Sequence, residues 1–577
     1  MYAAITGTGK NKSVYIMQSF RKDNGKTSSR VYRKLGRLDV LLEQYGGDKD
    51  KLMDWAKDEA AKDTQAYNER SGEISFSLSQ SAYVPKEKDL SFNVGYLFLQ
   101  RLCSELCLDS ICRKIKKRHH YTYNLAAILT DLIFARILSP SSKLSSYAFC
   151  QTLLEPPKYT LQNLYRALSV IAAESDFIQE ELYYNSNSIQ PRNHTVLYYD
   201  CTNYYFEIEE SEGLRQYGKS KEHRPNPIIT MGLFMDADGI PLAFDIYPGN
   251  QNEQTTLKPL ETKIIQNFGC SRFIYCSDAG LGSKANRQFN SLGGRQYVIT
   301  HSLKKMKQED RKVALNPHYF RAPGSRAFID ISTLDENNSR TFHTTFYKEI
   351  PMGEPETLIV TYSPKYKAYQ RAVRQAQIQR AQKIIDSPGK KRRGKNPNDP
   401  SRLIEKTAIC DTGEIAQKYV YRLDEERIAE EAQYDGFYAV ITNIEGNPEE
   451  ILKINQRRWE IEESFRIMKS EFNARPVYVR REDRIKAHFL TCYISLLIYR
   501  LLEKKLGANY TCSEIIKTLS RMNVTKISSI NAYVPAYKRT QLTDDLHHLF
   551  GFRTDYEIMT KATLRNTIKN SKTVTPK

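Results

Sequence analysis

Ten cysteines are scattered over 577 residues without a single Cys-x-x-Cys pair. That spacing argues against a zinc ribbon and a disulfide scaffold and fits reduced thiols in the cytoplasm. No apolar leader is present: Met1-Tyr2-Ala3-Ala4-Ile5-Thr6 runs straight into charged residues, so export is not expected. The most apolar segment, Ile485 to Leu502, is broken by His488 and Arg500. It falls short of the roughly 20 apolar residues of a clean membrane span and is read as a buried helix. No internal repeat is visible, and 38 tyrosines come without the Arg-His-Arg-Tyr arrangement of a tyrosine recombinase. Acidic residues are outnumbered: 67 Asp and Glu against 86 Lys and Arg give a net charge of +19 and a pI of about 9.2. Such a balance favours polyanionic partners, because each neutralised phosphate releases condensed counterions.

Forty per cent hydrophobic residues is ordinary globular composition, and the length suggests three or four units. Residues 1–75 mix β-like pieces with basic residues and an amphipathic helix, a small α+β module. Residues 90–190 take on helical apolar spacing, as in Leu125, Ile128, Leu129, Leu132 and Ile133. This region is read as a DNA-binding one, in which the basic run Arg113 to Arg118 is either a phosphate contact or a solvated helix face. From His194 the period changes to strands. The order over 194–300 is βββαβαβ, its second and third strands joined by the turn Asp236-Ala237-Asp238-Gly239. Residues 301–434 are read as a strand-poor, then helix-rich insertion carrying an exposed basic loop, Pro388 to Lys395. The strand-and-helix pattern resumes over 435–505, where Asn447 can cap a helix with Pro448 in its first turn. Residues 506–577 form a C-terminal region.

The helix predicted from Glu449 to about Phe472 has a core-facing stripe of Ile454, Ile461, Phe465, Met468 and Phe472. A polar stripe lies beside it: Asn455, Arg458, Glu462, Arg466, Lys469 and Asn473. Alone, that stripe is equally a solvated face with i,i+4 pairs such as Arg458 with Glu462. Two strands, however, end in acids, Thr195 to Tyr199 before Asp200 and Phe273 to Ser277 before Asp278. Asp200, Asp278 and Glu462 together offer three hard oxygen donors without a His or Cys cluster, which selects Mg²⁺ or Mn²⁺. Two such ions about 3.5 to 4 Å apart can activate an attacking oxygen and stabilise the leaving one in phosphoryl displacement. Arg458 and Lys469 would hold phosphates of the bound strand.

The segment Asn455-Gln456-Arg457-Arg458-Trp459-Glu460-Ile461-Glu462 through Lys469 resembles the Tyr-x2-Arg-x3-Glu-x6-Lys signature of DDE insertion-sequence transposases. Asn455 stands where that signature has Tyr. Tyr199-Asp200-Cys201-Thr202-Asn203-Tyr204-Tyr205, Gly218 to Pro225, Tyr247 to Glu253 and Ser277-Asp278-Ala279-Gly280 are also similar to this group, over about residues 194–500. The resemblance implies a ribonuclease H-like mixed α/β sheet with flanking helices, interrupted by an insertion. It implies binding to the terminal inverted repeats of a mobile element, nicking at its ends, attack of the freed 3′-hydroxyl on target DNA, and a homodimer in the synaptic complex. It places the protein in a bacterial cytoplasm acting on chromosomal DNA, with no membrane partner.

Lys219, Lys221, His223 and Arg224 follow the first strand and read either as phosphate contacts, together with Arg466, or as a solvated loop. Trp459 reads as core packing before base stacking, and His488 as a core histidine before a metal ligand. A metal-dependent nuclease or resolvase without strand transfer, or a non-catalytic DNA-binding derivative, are the alternative functions.

Overall fold

A β-branched and aromatic run such as Val196-Leu197-Tyr198-Tyr199, buried at every position, can only be the centre of a sheet covered on both faces. The computed structural model places it there. It describes residues 1–8, 12–21, 27–70, 81, 83–387, 399–409 and 418–573. The strands of the large sheet are β1 (Val196–Tyr205), β2 (Ile228–Met235), β3 (Pro241–Pro248), β4 (Ile274–Ser277), β5 (Gln296–His301), β6 (Phe346–Pro351), β7 (Thr357–Tyr362) and β8 (Phe437–Thr442). Their spatial order is β6-β7-β8-β5-β4-β1-β2-β3. β1, β2 and β3 are antiparallel neighbours, whereas β4 pairs parallel with β1 and β5 parallel with β4. A three-strand meander followed by two parallel crossovers on its other side is the ribonuclease H-like arrangement.

The associated helices are α1 (Leu257–Asn267), α2 (Lys284–Phe289), α3 (Pro448–Gln456), α4 (Trp459–Ser470) and α5 (Glu482–Lys505). Alternate residues of each strand enter different cores. Tyr198, Tyr204, Met231, Cys276 and Val298 join the core that includes α3, α4 and α5, while Leu197, Tyr199, Phe234, Tyr275 and Tyr297 join one that includes α1. Helix α5 is long and apolar enough to cross a membrane, yet it is buried almost end to end. His488 lies within it, held neutral by burial and hydrogen-bonded to the Ala474 carbonyl at 3.1 Å.

Three features differ from the sequence reading. First, the stretch 301–434 is not strand-poor: β6 and β7 join the catalytic sheet antiparallel through β8, and Ile404–Ile409 pairs with Lys418–Leu423. The short β-branched and aromatic run Thr357-Leu358-Ile359-Val360-Thr361-Tyr362, buried at all but its first position, was masked by the polar text around it. The loop from Pro388 to Lys395 lies outside the described residues. Second, the single helix expected from Glu449 to Phe472 is two, α3 and α4, parted at Arg457 and Arg458. There the amides of Arg458, Glu460 and Ile461 reach back three residues instead of four, a tightening that advances the chain further round the axis. Third, residues 90–190 and 506–577 are not separate. Ser91–Asn93 pairs with Asn523–Ile527 in a four-stranded sheet, and both regions share one core with α5. The compact units are Met1–Lys86 and Glu87–Lys577. The first holds three antiparallel strands and two helices around Val14, Leu41, Leu52 and Ala56.

In the run Arg113 to Arg118, Arg113 pairs with Asp109, Lys114 with Glu181 and Arg118 with Glu174, so half of its members are held within the fold. Backbones approach closely at Gly95, where an added Cβ would stand 2.0 Å from the carbonyl oxygen of Leu519. Gly95→Ala must therefore push apart the helical region and the C-terminal helix Cys512–Arg521. Overpacking of this kind costs about 1–3 kcal/mol, measurable by urea unfolding of the whole chain; an unchanged midpoint would contradict the shared core.

Candidate active site

The parallel pairing of β1 with β4 brings the first two acids together. Val196 faces Ile274, Leu197 faces Tyr275 and Tyr198 faces Cys276; Asp200 and Asp278 each follow the last of these pairs by two residues, and the charge of Asp278 is felt at Asp200. Asp200 shares the parity of Tyr198 within β1 and so points to the face covered by α3, α4 and α5, while Asp278 stands just past the end of β4. Along β1 every residue is buried except Asp200, which is partly open. Asp200 Oδ1 accepts the Cys201 amide at 2.7 Å, and Asp278 Oδ1 accepts the Leu281 amide at 3.2 Å across the turn after β4.

Helices α3 and α4 run along β1. Tyr198 donates its hydroxyl to the Ile454 carbonyl at 3.0 Å, and Tyr204 places its own 3.7 Å from Met468 Sδ. The strand between these tyrosines and the helices between their partners both advance about 20 Å, so Asp200 falls opposite the junction between the helices. Arg458 stands at that junction. Its Nη2 lies 3.3 Å from Glu462 Oε1, its charge is felt by Asp200 and Cys276, and its Nε is buried with no hydrogen-bond partner among the described residues.

Glu462 therefore sits across Arg458 from the aspartates. Its side chain is 57% exposed. Among the described residues the one group of three His, Cys, Asp or Glu side chains whose ligand atoms lie within 4.8 Å of one another is Asp544, His547 and Asp555. The structure thus joins Asp200 to Asp278 and leaves Glu462 on the rim, one salt bridge away.

The electrostatics of the pair are unbalanced. Burial, reinforced by the like charge of Asp278, pushes the Asp200 carboxyl up to about 7, against the opposing pull of Lys221 and Arg458. A cation-seeking, all-oxygen donor set is the chemistry that a divalent metal such as Mg²⁺ or Mn²⁺ requires, so the residues present fit one.

The basic residues divide. Lys219 and Arg224 are exposed; Arg224 stacks over Tyr205 at 4.3 Å. Arg466 is exposed and pairs with Glu463 at 3.3 Å. Lys221 is exposed as well, at 39%, but is tied back to the sheet, donating to the Cys201 carbonyl and lying 3.2 Å from Glu253. Lys469 is largely buried and 3.3 Å from Glu222, and its ammonium is pulled down to about 8 by burial and by Lys221. Asn455 is buried instead of lining a cleft, its amide donating to Tyr438 at 2.8 Å and its oxygen 3.3 Å from Thr300. Trp459, expected in the core, is 57% exposed, because the tightened junction turns it outward.

Sequence reasoning gave no role to Asn203, Glu222, Glu253 or Arg475. Asn203 clamps the loop after β1, donating to the Lys219 carbonyl at 3.2 Å and accepting the Lys221 amide at 3.0 Å. Glu222 pairs with both Lys469 and Arg475. All but Arg475 lie within the quoted motifs, yet nothing in their spacing reveals pairing across so much chain. Two glycines of those motifs also meet: a Cβ on Gly218 would stand 1.9 Å from the Gly249 carbonyl oxygen.

A ribonuclease H-like sheet with paired strand acids beneath an arginine- and glutamate-bearing helix defines a class of polynucleotidyl-transfer proteins. A family described as "Transposase DDE domain" matches residues 206–498, just over half of the chain, and the protein belongs to that family. The match contains Asp278 and Glu462 and begins six residues after Asp200. No curated protein matches the chain. Among solved structures it is similar to a piggyBac transposase synaptic complex with hairpin DNA, at 10% identity and TM-score 0.35, covering 82% of this chain and 85% of that one. It is also similar to the Mos1 mariner paired-end complex with Mn, at 12% identity and TM-score 0.13, over 45% of this chain and 70% of that one. The Marinitoga piezophila Argonaute in complex with guide RNA and target DNA follows at 8% and 0.15, over 59% and 62%. These superpositions are loose; the fold assignment rests on strand order and the family.

The raised Asp200 carboxyl has a consequence for stability. A folded pKa near 7 against about 3.9 unfolded means that the ionised carboxylate opposes folding, an effect absent below the unfolded value and complete above the folded one. In EDTA, Asp200→Asn should unfold at higher urea than the native protein at pH 8, and the gap should narrow as pH falls to 5. A mutant no more stable at pH 8 would contradict the crowded-carboxylate description.

Proposed function

We propose that the protein is a cut-and-paste transposase that binds the ends of its mobile element, cleaves DNA strands with divalent metal, and joins the freed 3′-hydroxyl to target DNA. The observation that supports this reading is the parallel pairing of β1, which carries Asp200, with β4, which leads into Asp278, together with the charge of Asp278 felt at Asp200. Mg²⁺ or Mn²⁺, two ions when bound, would supply activation of the attacking oxygen and stabilisation of the leaving one.

The chain's own residues do the rest. Asp200 and Asp278 hold the metal side of the site. Glu462 completes it by turning from Arg458 towards the aspartates, a side-chain rotation that its exposure permits. Arg458 is then released to present its planar fork to a strand phosphate. Lys219, Arg224 and Arg466, all exposed at this margin, serve as phosphate contacts, and Lys469 acts from the inner wall. Trp459, exposed one turn before Glu462, can stack on an unpaired base. Terminal inverted repeats and target DNA are the substrates, the working form is a homodimer holding two ends, and the site of action is chromosomal DNA in the bacterial cytoplasm. The net charge of +19 suits that role.

The test is cleavage and joining of labelled DNA carrying the element's end, in Mg²⁺ and in EDTA, by the native protein and by Glu462→Gln. The reading expects metal-dependent nicking and strand-transfer products that fall at least a hundredfold in the mutant while gel-shift binding persists. Nicking without joined products would reduce the protein to a nuclease, and cutting that survives the substitution would remove Glu462 from the centre.

A further inference from the structure

Lys221 was expected to reach outward to DNA, and its position says otherwise. The loop that carries it is strapped to the catalytic strand by Asn203, whose buried amide bonds both the Lys219 carbonyl and the Lys221 amide. On the next residue, Glu222 ties the same loop to Lys469 and Arg475. With its backbone fixed at both sides, the Lys221 side chain, still 39% exposed, folds back over the catalytic strand: the ammonium donates to the carbonyl of Cys201, the residue after Asp200, and lies 3.2 Å from Glu253. Glu253 is held in turn by the one-turn helix Glu253–Thr255, where its carbonyl accepts the Thr256 hydroxyl at 2.6 Å. Of the charges acting on Asp200, that of Lys221 is the strongest.

We infer that Lys221 is a built-in counter-ion at the margin of the carboxylate site, a positioning residue whose charge competes with the catalytic metal for Asp200, and that Glu253 sets how far its ammonium reaches. The inference rests on the metal-binding reading of Asp200 and Asp278. Lys221 pairs with Glu253 and the Cys201 carbonyl and acts on Asp200 through its field; such a nearby ammonium does two opposed things, steadying the anion within the fold and repelling a divalent ion arriving at its oxygen atoms. Glu253 moderates the second effect by drawing the ammonium off. An ammonium on a flexible stem suits this better than a guanidinium, because a point charge can retreat along its stem.

The experiment uses the full chain and Mn²⁺ alone, with free Mn²⁺ followed by electron paramagnetic resonance and thermal midpoints recorded in EDTA. Lys221→Met should lower the metal-free midpoint by several degrees and tighten Mn²⁺ binding about tenfold. Glu253→Gln should weaken Mn²⁺ binding a few-fold, and that weakening should vanish in the Lys221→Met background, since Glu253 acts through the lysine. Lys221→Met with native Mn²⁺ affinity and native midpoint would overturn the inference, as would an undiminished Glu253→Gln effect in the double variant. If Lys221→Met does not fold, Lys221→Gln carries the same comparison. Asp200→Asn separates the two levels. Should it lose Mn²⁺ while Lys221→Met changes nothing, the counter-ion alone is wrong; should it bind Mn²⁺ as the native protein does, the metal reading itself falls.

Discussion

Two carboxylates forced side by side by a parallel strand register, in a strand otherwise buried, are the constraint on which the rest of the catalytic region depends. The protein does not neutralise them fully: burial raises the Asp200 carboxyl to about 7 in spite of Lys221 and Arg458 nearby. Sheets offer cheaper ways to end a strand. An uncompensated acidic pair at the centre of a covered sheet costs stability, and active sites are where such costs concentrate. The neighbouring elements can be understood as responses to that charge: the junction of α3 and α4 delivers Arg458 opposite Asp200, and the loop after β1 delivers Lys221.

Rigidity and freedom are divided among these parts. Asp200 sits on a central strand and Asp278 just past the end of its neighbour, and α4 is docked through Ile461, Phe465 and Met468, all buried. Glu462 is the mobile member, on a fixed helix with an exposed side chain and one ion pair that an incoming phosphate or metal can displace. Only the Glu462 half of that pair is exposed, the Arg458 side chain being 19% exposed, so the exchange requires an anion to replace Glu462 at the guanidinium. Lys469 is held differently, inside and paired with Glu222, which makes it a wall of the site more than a hand reaching for DNA.

Much of this was legible in the sequence. The order βββαβαβ followed by a strand and helices is what the chain builds, because β-branched runs and turn residues mark those boundaries by local chemistry. Asp278 could be singled out as an acid just past a strand end and Glu462 by spacing, but Asp200, expected to close its strand, lies in the middle of β1, which runs on to Tyr205, and that the two strands are parallel and in register is a tertiary fact. The split of α3 from α4 was hidden because no proline or glycine marks it; the apolar stripe reads through Arg457 and Arg458 without interruption. That concealed break is why Trp459 was expected inside and Asn455 in a cleft. Strands β6 and β7 were missed because a polar stretch surrounds them. The ties of Asn203, Glu222 and Glu253 were illegible for another reason: hydrogen bonds between residues far apart in the chain leave no periodic trace.

The account's central claim is that the aspartate pair, joined by Glu462, is where metal binds. Anomalous diffraction from crystals soaked in Mn²⁺ tests it most directly. The account predicts density between the carboxylates of Asp200 and Asp278, with Glu462 turned from Arg458 to join them. Density confined to Asp544, His547 and Asp555, or to the surface, with the aspartates bare, would contradict it.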